Sequence, residues 1–152
     1  MNIGELIAPD RIAAGCRAAN KRNLLTDLAH QAGAVLQLDA QMLLALLTAR
    51  EELGSTGVGH GVAIPHIRIE ALDKFFGLFV RLDRPVNFVA IDGLPVDLVF
   101  LLLIPTEASS NHLAALACVL RRLRDPETAR RLRATTDAAS LYQILIEPSS
   151  AA

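Results

Sequence analysis

Apolar residues recur along this chain with a period that changes in its middle. From Asn20 onward, Leu24, Leu25, Leu28, Ala29 and Ala32 fall on one helical face, and Gly33, which tolerates positive φ, offers a stop. Asp39 then stands as an N-cap before Leu43, Leu44, Leu46 and Leu47, a second helix ending at Gly54. Residues 62–64, 75–82, 86–91 and 96–104 read as strands parted by proline or glycine turns, with a further short strand at 11–14. The stretch 96–104 is apolar at every position but Asp97, the pattern of a central strand buried on both faces. Ser109, Ser110 and Asn111 supply caps for a helix carrying Leu113, Leu116, Ala117, Leu120 and Leu123 on one face and Arg121, Arg122 and Arg124 at its negative end. Pro126 suits the first position of a short helix through Arg133, and Asp137 caps a last one through Ile146.

Helices, then strands, then helices predict an α/β fold of three layers, a mixed parallel/antiparallel central sheet flanked by helices on both sides. The short links 82–86 and 91–96 call for antiparallel neighbours, because a parallel connection needs a dozen residues or more. Residues 1–147 read as a single domain, with 148–152 as a flexible tail.

Composition narrows the function classes. The chain has 152 residues, 52% of them hydrophobic, enough to bury a core without staples. Its two cysteines, Cys16 and Cys118, fit no ligand spacing and imply a reducing, cytoplasmic setting. With 15 Lys+Arg against 16 Asp+Glu, there is no basic footprint for a nucleic-acid partner. The start of the chain has no signal-peptide pattern, and the longest apolar run is too short to span a bilayer, so membrane insertion is not expected.

Candidate chemistry centres on histidines. Four of the nine glycines lie between Gly54 and Gly61, so the backbone there must turn tightly or let something approach closely. His66 follows that loop and Pro65 at the end of a short strand, where an exposed ring with an ordinary pKa of about 6.5 offers a lone pair without an auxiliary base. His112 lies in the first turn of a helix, where free N–H groups favour an anion and disfavour imidazolium, so it suits donating a neutral N–H. Such a pair fits a phosphoryl acceptor and its neighbour. Blander readings stand beside these: His30 as a surface residue, His60 as a polar loop residue or a donor near the site, Arg50 as a helix-end partner, Asp97 as a hydrogen-bond acceptor. A metal held by His66 and His112 would lack a third ligand of suitable spacing. The glycine loop matches neither a P-loop nor a dinucleotide fingerprint, so neither a cofactor nor a metal is expected.

The thirteen residues Gly54-Ser55-Thr56-Gly57-Val58-Gly59-His60-Gly61-Val62-Ala63-Ile64-Pro65-His66 resemble the active-site segment of the IIA proteins of the phosphoenolpyruvate-dependent phosphotransferase system, in the mannitol/fructose superfamily. The similarity extends to Ala49–Leu53, Asp92–Leu102, His112-Leu113 and the segment Arg122-Leu123-Arg124-Asp125, and the nitrogen-regulatory branch looks closest. The resemblance implies a phosphotransferase component with a phosphohistidine intermediate. His66 would accept the phosphoryl group from an HPr-like carrier, with His112 as the second active-site histidine and Arg50 as the nearby arginine. It further implies a phosphorylation-dependent regulator acting on a protein target. The alternatives are a sugar-specific IIA passing phosphate to a separate IIB protein, and a binding module of the same fold that is not phosphorylated. The residues leave the target and the oligomeric state open. Family members commonly carry Gly or Ala after the active histidine and then Lys or Arg; here Ile67 and Arg68 follow. Val58 and Ile67 are expected as apolar neighbours of the site, available for docking.

Overall fold

The computed structural model describes residues 1–108 and 111–148. Along the chain run β1 (Ile12–Cys16), α1 (Lys21–Leu36), α2 (Ala40–Glu52), β2 (Gly57–Gly59), β3 (Val62–Ala63), β4 (His66–Ile69), β5 (Phe76–Val86), β6 (Val96–Pro105), α3 (Asn111–Arg124), α4 (Pro126–Arg133) and α5 (Ala138–Ile146). The strands form one mixed sheet in the order β1-β5-β6-β3-β2, with β4 also pairing β6. The β5/β6 pair is antiparallel, as the short link required, while β1 runs parallel to β5, and β3 and β4 run parallel to β6.

The alternation along β6 divides the core. Val99, Leu101 and Leu103 pack with Leu24, Leu28, Leu43 and Leu47 of α1 and α2, and Leu98, Phe100, Leu102 and Ile104 pack with Val119, Leu132 and Leu141 of α3, α4 and α5. That is the expected three-layer arrangement, one helical layer on each face.

Several boundaries differ from the sequence reading, each for a local reason. Gly33 does not stop α1, which runs on to a left-handed Gln37 at φ 56°; Leu38 N–H donates to the Gly33 carbonyl, and a Cβ at Gly33 would stand 2.9 Å from the Leu38 oxygen. The glycine thus serves a close approach inside the helix. The turn expected at 82–86 is a bulge within β5, with Asp83, Arg84 and Pro85 exposed and pairing resumed at Val86↔Val96. Residues 87–91 form no strand, because Val89 takes φ 54° and Asn87 accepts from its N–H in a turn.

On α3, Ala115, Val119 and Leu123 are buried, Leu116 and Leu120 flank them, and Leu113 is 70% exposed. Small Ala115 lets the helix sit close to the sheet, which turns Leu113 and Ala117 outward. Asn111 is the first helical residue and not the cap; Ser109 and Ser110 lie outside the described residues, as do 149–152 of the expected tail. Asp39, Asp125 and Asp137 do cap α2, α4 and α5, accepting from Gln41, Thr128 and Ser140 N–H groups at 2.9, 3.0 and 2.9 Å.

Gly77 in β5 faces the tightest of these packings, since a Cβ there would press against the Leu6 carbonyl and lie 2.8 Å from the Phe100 ring. Gly77→Ala is therefore expected to destabilise the fold by about 1–3 kcal/mol. Urea unfolding should show a lower midpoint at an unchanged slope.

Candidate functional site

β3 and β4 are two pieces of one line alongside β6, interrupted at Ile64-Pro65. Val62 and Ala63 pair with Leu98 and Val99, and after the break His66 to Ile69 pair with Leu102 to Pro105. The line stays anchored through the break, because Leu102 N–H donates to the Pro65 carbonyl at 2.9 Å and Ile64 N–H to the Thr56 carbonyl at 3.0 Å. What the break frees is the Ile64 carbonyl, and His66 Nδ1 takes it at 2.8 Å. A carbonyl only accepts, so Nδ1 carries the hydrogen and Nε2 presents the lone pair. His66 thus opens a strand, where the sequence reading had it end one, and its ring is half-buried rather than exposed.

Strand alternation puts His66 and Arg68 on the face that α3 covers, and Ile67 and Ile69 on the other. On α3, His112 belongs to the same stripe as Ala115, Val119 and Leu123, one turn before the apolar contacts begin. The stripe that packs the helix on the sheet therefore carries His112 over β4, with its ring centroid 6.4 Å from that of His66. α2 does the same at its other end. Arg50 and Glu51 follow Leu47 by three and four residues, continuing the buried stripe past the core. Arg50 Nη1 donates to the Gly54 carbonyl at 2.9 Å, so the helix-end reading of Arg50 holds alongside its position near His66.

Burial holds the His66 pKa below its ordinary value of 6.5. The Ile64 carbonyl pulls it up, the positive charge of Arg50 and His112 pushes it down, and Glu51 pulls it up again. The ring is neutral at pH 7, with its lone pair available.

Two residues of this cluster lay outside the sequence-based site. The Glu51 carboxylate is buried, accepting from Thr56 N–H at 3.0 Å and Thr56 Oγ1 and pairing with Lys21 Nζ at 2.9 Å. Arg68, noted only for its place after Ile67, puts Nη2 2.8 Å from His112 Nδ1 and Nη1 3.4 Å from the Thr106 carbonyl. For Glu51 the available signal was a charged residue on the buried stripe of α2; for exposed Arg68 it was only its place two positions after His66 on the same face of the strand.

The glycine-rich segment is not wrapped around His66. It forms the β2–β3 hairpin, and what approaches its glycines is protein: Ala90 at Gly57, Asp92 at Gly59, Arg133 at Gly61. Arg133 Nη2 donates to the His60 carbonyl at 2.7 Å and pairs with Asp97 at 3.0 Å, and His60 N–H donates to Asp92 at 2.9 Å. Gly61, next to His60 at the hairpin tip, accepts from Leu98 N–H, and Leu102, which pairs with His66, lies four positions further along β6, roughly 13 Å away. His60 is thereby separated from the site, Asp97 is an ion-pair acceptor, and His30 is an exposed helix residue.

Ile67 is 8% exposed and packs toward α1 and α2, so it offers no docking surface; Val58 is half-buried against the α3–α5 side of the core. Nor does position 67 need a glycine, since Gln37, His60 and Val89 are the non-glycine residues at positive φ among the described residues. Among those residues no group of three or more His, Cys, Asp or Glu could hold a metal, and no helix is long and apolar enough to cross a membrane.

Comparison with known proteins finds relatives in both sequence and fold. The profile of the family described as "Phosphoenolpyruvate-dependent sugar phosphotransferase system, EIIA 2" matches residues 5–147. A nitrogen regulatory protein of Bradyrhizobium diazoefficiens is 45% identical over 152 residues, covering 100% of this chain and 99% of its own. The crystal structure of the nitrogen regulatory protein IIA-Ntr from Neisseria meningitidis superimposes with a TM-score of 0.88 at 34% identity, over 94% of this chain and 98% of that one. The IIA mannitol structure from Escherichia coli shares the fold, with a TM-score of 0.76 at 22% identity over 91% and 97% of the two chains.

The depressed His66 pKa has a signed consequence. Because the folded ring binds its proton less tightly than the unfolded one, the His66 contribution to stability is full above pH 6.5 and is lost as the pH falls below 6.5 toward the folded pKa. NMR titration of the His66 ring is expected to give a midpoint below 6.5, and Arg50→Gln should move that midpoint up. A wild-type midpoint at or above 6.5 contradicts the burial argument.

Proposed function

This chain belongs to the EIIA 2 family of the phosphoenolpyruvate-dependent sugar phosphotransferase system, and we propose that it accepts a phosphoryl group on His66 Nε2 from an HPr-like carrier and acts as a phosphorylation-dependent regulator in the cytoplasm. The observation that carries this reading is the 2.8 Å bond from His66 Nδ1 to the Ile64 carbonyl, which leaves Nε2 unprotonated on a ring whose centroid lies 6.4 Å from that of His112. The regulatory part rests on the nitrogen regulatory proteins this chain is similar to.

The step follows from the residues. The Nε2 lone pair attacks phosphorus while the bond from phosphorus to the carrier's histidine breaks, and no proton needs to leave His66. The positive charge that the ring gains is met by the Ile64 carbonyl at Nδ1–H, a hydrogen bond that strengthens as the donor becomes cationic. The transferring group spreads negative charge over its equatorial oxygens, and the His112 N–H and the Arg50 guanidinium are the donors available to meet it. Once attached, the phosphoryl group brings about two negative charges to a surface bordered by exposed Leu113 and Leu53, which alters what can dock there.

Incubation with phosphoenolpyruvate, enzyme I and an HPr-like carrier should label His66 alone, as an acid-labile phosphoramidate. His66→Ala should fold and stay unlabelled, and label mapped to His112 would overturn the assignment. His112→Ala and Arg50→Ala should each slow labelling by roughly a hundred- to a thousandfold. A candidate IIB protein that removes the label would point to sugar transfer, and a wild-type chain that takes none would leave a binding module.

Regulation calls for a second measurement. Pull-downs with wild type, His66→Ala and the charge mimic His66→Asp should recover different amounts of the target, most with the uncharged forms. Equal recovery by all three would refute the switch.

A further inference from the structure

Arg68 stands where the phosphotransfer reading, on which this inference rests, gives it no role. Its guanidinium is exposed on β4, yet its Nη2 lies 2.8 Å from His112 Nδ1, on another element, while Nη1 lies 3.4 Å from the Thr106 carbonyl. Among the described residues Arg68 makes no ion pair with a carboxylate, so His112 and Thr106 are its partners.

A guanidinium is always protonated and has donors only. A hydrogen bond between it and an imidazole nitrogen therefore requires a bare lone pair on that nitrogen. With Nδ1 accepting from Arg68, the single proton of neutral His112 must sit on Nε2. The two rings are then complementary: His66 is held as the Nδ1–H tautomer with a bare Nε2, and His112 as the Nε2–H tautomer. At 6.4 Å between centroids the rings are too far apart to bond directly, since a nitrogen-to-nitrogen distance of about 3 Å would bring them closer. The gap leaves room for a group that bonds one ring and accepts from the other.

We propose that Arg68 is a positioning residue that fixes His112 as the Nε2–H tautomer, so that the ring presents a donor, and not a lone pair, to the phosphoryl oxygens beside His66. With a bare Nε2 facing the same space, His112 would repel the oxygens and compete as a second nucleophile. Arg68 thus accounts for two properties at once, faster transfer and its restriction to His66. The strand explains how the residue reaches: Arg68 is two positions after His66, on the same face of β4, so the register that places the nucleophile also places the guanidinium under the start of α3.

The test reads tautomer and rate separately on the full chain. Long-range proton–nitrogen NMR of the unphosphorylated protein should show wild-type His112 protonated at Nε2, and Arg68→Ala should show a mixture of tautomers, with His66 unchanged as an internal control. Arg68→Ala should slow labelling at saturating carrier by about ten- to a hundredfold, the scale known for groups that orient a metal-ligating histidine. Arg68→Lys, which keeps the charge and a donor group, should recover much of both. Circular dichroism should be the same for all three proteins, because Arg68 is exposed.

Wild-type His112 protonated at Nδ1, or an Nε2–H tautomer that survives in Arg68→Ala, would overturn the proposal. So would wild-type labelling rates in Arg68→Ala with the tautomer lost. Failure of wild type to be labelled at all would overturn the phosphotransfer reading, and with it the catalytic consequence of Arg68, whatever tautomer the spectra report.

Discussion

The burial of β6 on both faces governs the rest of the molecule. From Leu98 to Ile104 its side chains are at most 1% exposed, so neither face accepts water or an unpaired polar group, and each must be covered by helices. Its two edges must also be paired, which brings β5 to one side and the broken line of β3 and β4 to the other. Polar chemistry is excluded from the middle of such a sheet and gathers where the covering elements outrun it. Arg50 and Glu51 end α2, His112 begins α3, and His66 and Arg68 point outward from β4 toward the start of α3. The site is the rim of the core, built from the same stripes that fill it.

That origin explains how so few residues are held in register. Each polar group is fixed by the apolar members of its own stripe: His112 by Ala115 and Val119, Arg50 by Leu43 and Leu47, His66 by the ladder that sets it beside Leu102. A core packed at native density admits little sliding, so the tips of the stripes inherit its precision. The break at Ile64-Pro65 adds one freed carbonyl, and that carbonyl selects the tautomer of His66.

The sequence made the two helical layers, the apolar central strand and the histidine pair legible because periodicity and caps are local signals. It misassigned residues 86–91, where a bulge at Asp83–Pro85 carries β5 through an expected turn; the decision there belongs to pairing with β6, which no window of β5 contains. The glycine cluster was legible as an unusual stretch but not in purpose, because its close neighbours Ala90, Asp92, Asp97 and Arg133 are remote in sequence. Ile67 looked like a surface residue beside His66, yet alternation sends it to the opposite face and into the core. Glu51 and Arg68 escaped notice for the converse reason. Glu51 continues the buried stripe of α2, where helical period gave a signal, whereas Arg68 is exposed and its partner His112 is remote in sequence.

Under the proposed function, proton and phosphoryl group compete for one lone pair, and the surroundings of His66 act on them with opposite sign. The proton adds positive charge to a half-buried ring beside Arg50 and His112, and both oppose it. The negative charge nearest the ring, on Glu51, is already engaged by Lys21 and by the Thr56 N–H and hydroxyl, so it offsets this opposition only in part. A phosphoryl group carries negative oxygens into the same field, where the guanidinium and a helix start attract it. Burial opposes the proton most, and under the proposed function the cations that add to that opposition are those that stabilise the charged product. A site that held His66 by deeper burial alone would depress proton affinity as well, but it would equally oppose the charge of the phosphorylated ring. Placing cations at the rim of a dry core separates these two effects, and it requires no carboxylate base or metal to activate the nucleophile.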